Sequence, residues 1–218
     1  MTNKIFKMSL SEQIYLSLKK DIVLNKIKLG SRITIKDVQD MYEVSSTPAR
    51  EALSRLASDG IVILETNKGV TIRDFSLKDA LNIHELAQLL DTYALKYAME
   101  NGDRKALVDK LEEAINKQIN IDIANDEALA LSFYENYFHN VFFDFIDNEK
   151  IKIIKEINRN EFAIIVYKAR STRNEGISNN EHRQILNAIK INDLNLALEQ
   201  MNNHFTNGRK RLLEFYNK

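Results

Sequence analysis

The sequence predicts a mainly α protein in two parts: an N-terminal winged helix-turn-helix over residues 1–75 and a C-terminal all-α antiparallel six-helix bundle over 76–218. Three observations carry this expectation. Residues 35–60 hold two short helical patterns joined through Ser45, Ser46, Thr47 and the chain's only proline, Pro48, and two β-branched runs follow at 61–72. After Ser76 there is no proline, and only Gly102, Gly176 and Gly208 interrupt apolar stripes at helical spacing. Zero cysteines in 218 residues excludes disulfides, thiolate nucleophiles and cysteine-ligated zinc together.

In chain order, residues 1–8 are expected to form a loose arm, and Ile14, Leu18 and Ile22 with Tyr15 mark a first helix at 9–25. IKDVQDMYEV at 35–44 reads as a second helix with Val38 and Met41 inward. A third begins near residue 46 or 47, where any of Ser45, Ser46 and Thr47 offers a capping hydroxyl and Pro48 is tolerated in the first turn. Ala49, Ala52, Leu53 and Leu56 form its apolar stripe, and Asp59-Gly60 ends it. Two helices joined so closely suggest a helix-turn-helix. Ser46, Thr47, Arg50 and Ser54 point away from the stripe, and small hydroxyls with a guanidinium are what a major-groove reader needs. Lys36, at the start of the second helix, is a phosphate or base contact by position. IVILETNKGVTI at 61–72 reads as a hairpin with a basic tip, Lys68-Gly69, a wing that can approach a phosphate backbone.

Residues 30–69 as a whole closely resemble the winged helix-turn-helix of the GntR family of bacterial transcription regulators. The family's turn commonly reads V-S-R-T-P-V-R-E-A-L. Here it is Val44-Ser45-Ser46-Thr47-Pro48-Ala49-Arg50-Glu51-Ala52-Leu53, so Ser46 replaces an arginine contact. The resemblance implies a double-stranded DNA operator as partner and a homodimer.

Composition agrees with that reading and narrows it. The chain is 44% hydrophobic and 28% charged, as soluble globular proteins are. It contains no run of about eighteen apolar residues and opens too polar for a signal peptide, so no membrane and a cytoplasmic location are expected. The zero net charge hides an asymmetry: residues 1–75 carry 12 Lys+Arg against 9 Asp+Glu, and residues 76–218 carry 19 against 22. The mildly basic part is the one with the helix-turn-helix.

Six helices are expected near 77–100, 103–124, 126–146, 149–171, 178–191 and 193–216, with Arg73 to Ser76 as linker and Ser76, Asn148 and Asp193 at start positions. Three of the four histidines fall on inward stripes. His139 follows Glu135 by one turn beside Phe138 and Phe142, His182 shares a stripe with Ile185 and Ile189, and His204 shares one with Ala197 and Met201. His84, set against a stripe of Ile83, Ala87, Leu90 and Ala94, is expected to be exposed. A carboxylate aimed at a core is costly unless paired or metal-bound, and a divalent metal satisfies Glu135, His139, His182 and His204 at once. By ligand softness zinc comes first, with nickel or another transition metal also suited.

The segment 181–204, with Glu135 and His139, resembles the effector domain of the FadR-type branch of that family. The branch commonly holds a metal with Asp-x3-His and two further histidines, which implies the same four ligands with Glu in place of Asp. It also implies a small-molecule effector, commonly a carboxylate. Ala87 stands where many relatives place an arginine for that carboxylate, which leaves Arg170 or Arg173 to take over. The expected function is a sequence-specific DNA-binding regulator, a repressor, whose C-terminal domain binds a metal and a metabolite. Two alternatives use the same residues: a purely structural metal, and a metal-dependent enzyme, which lacks an evident second carboxylate or base.

Overall fold

The computed structural model describes residues 8–65, 69–121, 136–169 and 175–217. The expected arm, apart from Met8, lies outside these residues, as do Lys68, Glu135, Arg170 and Arg173. The chain forms two compact units, Met1–Asp74 and Phe75–Lys218. Among the described residues no helix is long and apolar enough to cross a membrane.

The first unit contains α1 (Leu10–Val23), β1 (Arg32–Ile33), α2 (Ile35–Tyr42), α3 (Ser46–Ser58), β2 (Val62–Glu65) and β3 (Gly69–Ile72). Ile14, Leu18 and Ile22 of α1 meet Ala52, Leu53 and Leu56 of α3 in a core where none is more than 2% exposed. The wing is a three-stranded antiparallel sheet of order β1-β3-β2. The short β1 was not anticipated, because two residues carry no alternation. Thr34 opens α2 with a capping box to Asp37.

No hydroxyl caps α3. Ser45 is its N-cap by backbone geometry, yet its side chain makes no capping bond. An N-cap oxygen takes the N–H of the second or third helical residue, and the third here is Pro48, which has none. Met41, expected inward, is 49% exposed, and Val38 alone is buried on α2. An eight-residue helix offers the core a narrow contact. Gly60 follows α3 at φ 74° and donates to Ala57, the left-handed exit that the sequence suggested.

The second unit is all-helical: α4 (Leu77–Asn101), α5 (Arg104–Ile121), α6 (Tyr137–Phe143), α7 (Glu149–Lys168), α8 (Glu175–Lys190) and α9 (Leu194–Tyr216). Ser76 caps α4 in a capping box with Asp79, Asn148 caps α7 and Asp193 caps α9. Helix α4 packs on α7 and α9, and α5 packs on α6 and α8. Leu95, Leu107, Leu111, Phe138, Phe142, Ile185, Ile189, Met201 and Phe205 form the common core. Phe75 belongs to this unit, 2% exposed, with its carbonyl accepting from the Tyr216 hydroxyl at 3.0 Å.

The helix expected over 126–146 does not run through residue 136. Asn136 sits at φ 45°, ψ 48°, a left-handed conformation that no right-handed helix accommodates, and α6 starts after it. The inference that Glu135 and His139 share one continuous helical face therefore loses its basis.

Candidate functional site

In the first unit, the exposed face of α3 follows from helix periodicity. Ala49, Ala52, Leu53 and Leu56 occupy one side of α3, which leaves Ser46, Thr47, Arg50 and Ser54 exposed on the other. Lys36 at the start of α2 is exposed as well. Gly69 enters β3 at φ 93°, and a Cβ there would lie 3.3 Å from the Ile33 carbonyl oxygen, so the wing turn needs glycine twice over. The end of α3 is tied to α1 by a buried cluster. Lys19, 3% exposed, donates to the Tyr15 hydroxyl at 2.7 Å and lies 3.6 Å from Asp59, while Arg55 covers the Tyr15 ring and pairs with Glu12. These contacts hold α3 at a fixed angle to α1, which a groove reader requires.

In the second unit, His139 of α6, His182 of α8 and His204 of α9 converge. One ring nitrogen from each lies within 4.8 Å of the others, and the ring centroids are 4.8 to 5.1 Å apart. Two nitrogens bound at about 2.1 Å to one tetrahedral ion lie roughly 3.4 Å apart, so the three rings would have to draw inward by about an ångström to complete a site. Three imidazole donors fit zinc and its transition-metal neighbours. Phe138 stacks on His182 at 4.2 Å and holds that ring in plane. The three histidines line a cavity of about 80 Å³ together with His84, Asn136, Gln118, Phe162, Phe205 and Arg211.

Two carboxylates that the sequence reading missed lie beside two of these rings. Asp91 of α4, 1% exposed, places Oδ2 2.8 Å from His139 Nδ1, near in distance though out of line for a strong hydrogen bond. Its Oδ1 accepts from Lys155 Nζ of α7 at 2.5 Å. Burial pushes the Asp91 carboxyl up, but Lys155 and His139 outweigh it and hold the group below its usual range. Glu181 contacts His204 Nδ1 at 2.8 Å and accepts from Asn207 at 2.9 Å, with both Arg211 terminal nitrogens at 3.5 Å. Burial raises its pKa, yet His204, Asn207 and Arg211 bring it down to about 2. Burial lowers His204 to about 4 against the opposing pull of Glu181, so at neutral pH it is an uncharged imidazole able to act as a ligand.

His84 is the clearest correction. Expected at the surface, it is 3% exposed and lines the cavity. The buried face of α4 runs through Ala80, His84, Ala87, Asp91, Ala94 and Ala98, while the larger Leu86, Leu89 and Tyr93 face outward. The expected stripe of Ile83, Ala87, Leu90 and Ala94 was too narrow; adding Ala80 and Ala98 to it would have located both His84 and Asp91. Burial, then His204, Arg209 and Arg211, lower His84 to about 4 against a smaller pull from Asp91. A folded pKa below the unfolded 6.5 means that the unfolded chain binds more protons between those values. The stabilisation is complete above pH 6.5 and is lost as pH falls toward 4. We expect metal-free His84→Phe to lose stability less steeply over that window than the parent, by up to about 1.4 kcal/mol per pH unit, in denaturant melts at stepped pH. Parallel slopes would refute it.

A winged helix-turn-helix and an all-helical unit with an imidazole-lined cavity in one chain mark a class: DNA-binding transcription regulators. The chain belongs to the GntR family. The family model described as bacterial regulatory proteins, gntR family, matches residues 10–72, and the FCD domain model, the FadR-type C-terminal domain, matches 82–207. It is 27% identical over 204 residues to the uncharacterized HTH-type transcriptional regulator YdhC of Bacillus subtilis strain 168, covering 92% of this chain and 89% of that protein. It is 24% identical over 205 residues to the gluconate operon transcriptional repressor of the same strain, covering 91% and 83%. The structure of Escherichia coli McbR/YncC superposes with a TM-score of 0.77 at 19% identity, covering 96% of this chain and all of the other, a likeness of fold.

Proposed function

We propose that the protein is a homodimeric repressor that binds a DNA operator through Thr47, Arg50 and Ser46 of α3, Lys36 of α2 and the Lys68-Gly69 wing, and releases it when a small metabolite enters the C-terminal cavity. The observation that carries the sensing half is the convergence of three imidazoles on a cavity in the same chain as the winged module. His139, His182 and His204 would hold a divalent metal, zinc first, with Glu135 as the fourth ligand. A bound metal would supply a Lewis-acidic position for an effector oxygen. Asp91 and Glu181 supply what the ligands need, a carboxylate behind a ring nitrogen that orients the imidazole. Because the cluster borders a cavity, a sensing role is favoured over a purely structural metal. Arg211 stands in the cavity lining, where Arg170 or Arg173 was expected to serve a carboxylate.

Coupling would run through α4. It carries His84 and Asp91 on its buried face and follows directly from the Arg73–Ser76 connection to the DNA-binding unit. An effector that binds one dimer geometry better than another shifts the population of half-site spacings by that difference in affinity.

Arg50→Ala should weaken operator binding by about 1–3 kcal/mol, the worth of a bidentate base contact, without altering thermal stability, since the side chain is exposed. Fluorescence anisotropy with an operator duplex at fixed salt measures it. Unchanged affinity would remove Arg50 from the interface.

A further inference from the structure

Helix α7 buries a lysine that stands outside the lining of the histidine cavity. Lys155 is 6% exposed, and among the described residues it is the one buried lysine of the second unit. Its ammonium meets two other helices at once. It donates to Asp91 Oδ1 of α4 at 2.5 Å and stands 4.6 Å from the centre of the Phe143 ring of α6. Phe143 is one turn beyond His139 on the same short helix.

Helix spacing sets this placement. Phe162, two turns along α7 from Lys155, packs against His84, and His84 lies two turns before Asp91 on α4. The two helices therefore run antiparallel with Lys155 beside Asp91, where the flexible four-carbon stem reaches the carboxylate from the packed face.

Stability alone does not account for such a pair. Replacing both members of a buried ion pair by apolar side chains is commonly neutral or stabilising, whereas a buried carboxylate left without its cation is costly. What the pair accomplishes is to place the second carboxylate oxygen. With Oδ1 held by Lys155, Oδ2 lies 2.8 Å from His139 Nδ1. Two lone pairs do not face each other stably at that distance, so Nδ1 carries the imidazole proton and Nε2 keeps its lone pair. Lys155 thus acts on His139 from two sides, through Asp91 at the ring and through Phe143 at the helix.

We propose that Lys155 is a positioning residue for the metal site: by holding Asp91 beside His139 it fixes that ring in the Nδ1–H form, with Nε2 available to the ion. This rests on the reading of the three histidines as metal ligands.

The test begins with the metal-free full chain carrying isotope-labelled histidines, followed by proton–nitrogen correlation at neutral pH, with His139→Gln to assign the His139 signals. The parent should show His139 as a single Nδ1–H tautomer. Lys155→Met keeps the length of the side chain and removes the charge. It should turn that signal into a tautomer mixture and leave the His182 pattern unchanged. In an Asp91→Ala background the lysine substitution should change nothing further. Loaded with cobalt, Lys155→Met should also shift the visible absorption of the parent. The spectrum is the readout there because loss of a positive charge favours a bound cation while loss of ring orientation disfavours it. A mixture already present in the parent, an unchanged His139 signal in Lys155→Met, or an effect that persists in the Asp91→Ala background overturns the proposal with cobalt uptake intact. Lys155→Gln, shorter and neutral, is the second removal variant with the same expected loss. If neither variant folds, Lys155 serves the core alone and the proposal falls. Failure of the parent to take up cobalt removes the metal reading, and this inference with it.

Discussion

His182→Ala is expected to lower divalent-metal affinity by more than about 100-fold, with operator binding unimpaired. The side chain is 3% exposed, its ring is clamped by Phe138 at 4.2 Å, and it supplies one of three nitrogens that lie within 4.8 Å of one another. Removing an outer partner of a metal ligand costs roughly 10–100-fold, and removing the ligand itself should cost more. Asp91→Asn gives the graded comparison: it leaves all three imidazoles but weakens the acceptor 2.8 Å behind His139, and a loss within that 10–100-fold range is expected. Chelator competition with cobalt as a visible probe measures both variants. Metal should also raise the thermal stability of the parent, by about 2.7 kcal/mol at a free concentration of 100 Kd, and fail to do so for His182→Ala at the same concentration. Equal cobalt affinity in parent and His182→Ala would leave the histidines as core residues.

The double variant Leu89→Asp with Ile153→Asp is expected to turn dimers into monomers and to weaken operator binding by about 100-fold or more. Leu86, Leu89 and Tyr93 on α4 are 37%, 64% and 46% exposed, and Ile153, Ile154 and Ile157 on the adjacent α7 are 54%, 45% and 42% exposed. Six large apolar side chains on two packed helices suit a protein surface better than water. A two-fold dimer would cover the same stripe on both copies. Two winged units tethered in one dimer bind paired half-sites with an effective concentration that monomers lack, which accounts for the size of the expected loss. Sedimentation velocity and anisotropy on full and half operators distinguish the outcomes. A variant that stays dimeric would move the interface elsewhere, and a monomer with full operator affinity would remove the need for a dimer.

Much of this protein is determined locally. The only proline, the Ser76 cap, Gly60 and the stripe Ala49, Ala52, Leu53, Leu56 are short-range signals, and each acts over three or four residues. They were legible because backbone hydrogen bonding and steric exclusion need no distant partner. The inward direction of His139, His182 and His204 was legible for the same reason, since helical periodicity assigns a face to every residue.

Other features depend on what packs against what, and there the sequence alone misled or stayed silent. The stripe Ile83, Ala87, Leu90 and Ala94 put His84 at the surface, whereas the face of α4 packed on α7 and α9 is wider and takes in His84 and Asp91 as well. Asp91 reaches His139 across 48 positions of sequence, and Glu181 reaches His204 across 23, pairings that no periodicity encodes. Ser45 caps α3 by its backbone alone, with Pro48 removing one of the two N–H groups its hydroxyl could meet, and α6 starts after the left-handed Asn136 although the apolar spacing of the sequence runs across that position. The sequence by itself determined the two-part architecture, the exposed face of α3 and the three inward histidines, because each depends on local backbone geometry. Only the tertiary structure decided that those histidines share one cavity, which carboxylates lie beside two of them, and that a fourth imidazole faces the same space, because long-range contacts form where burying apolar surface outweighs the desolvation of the polar groups carried with it.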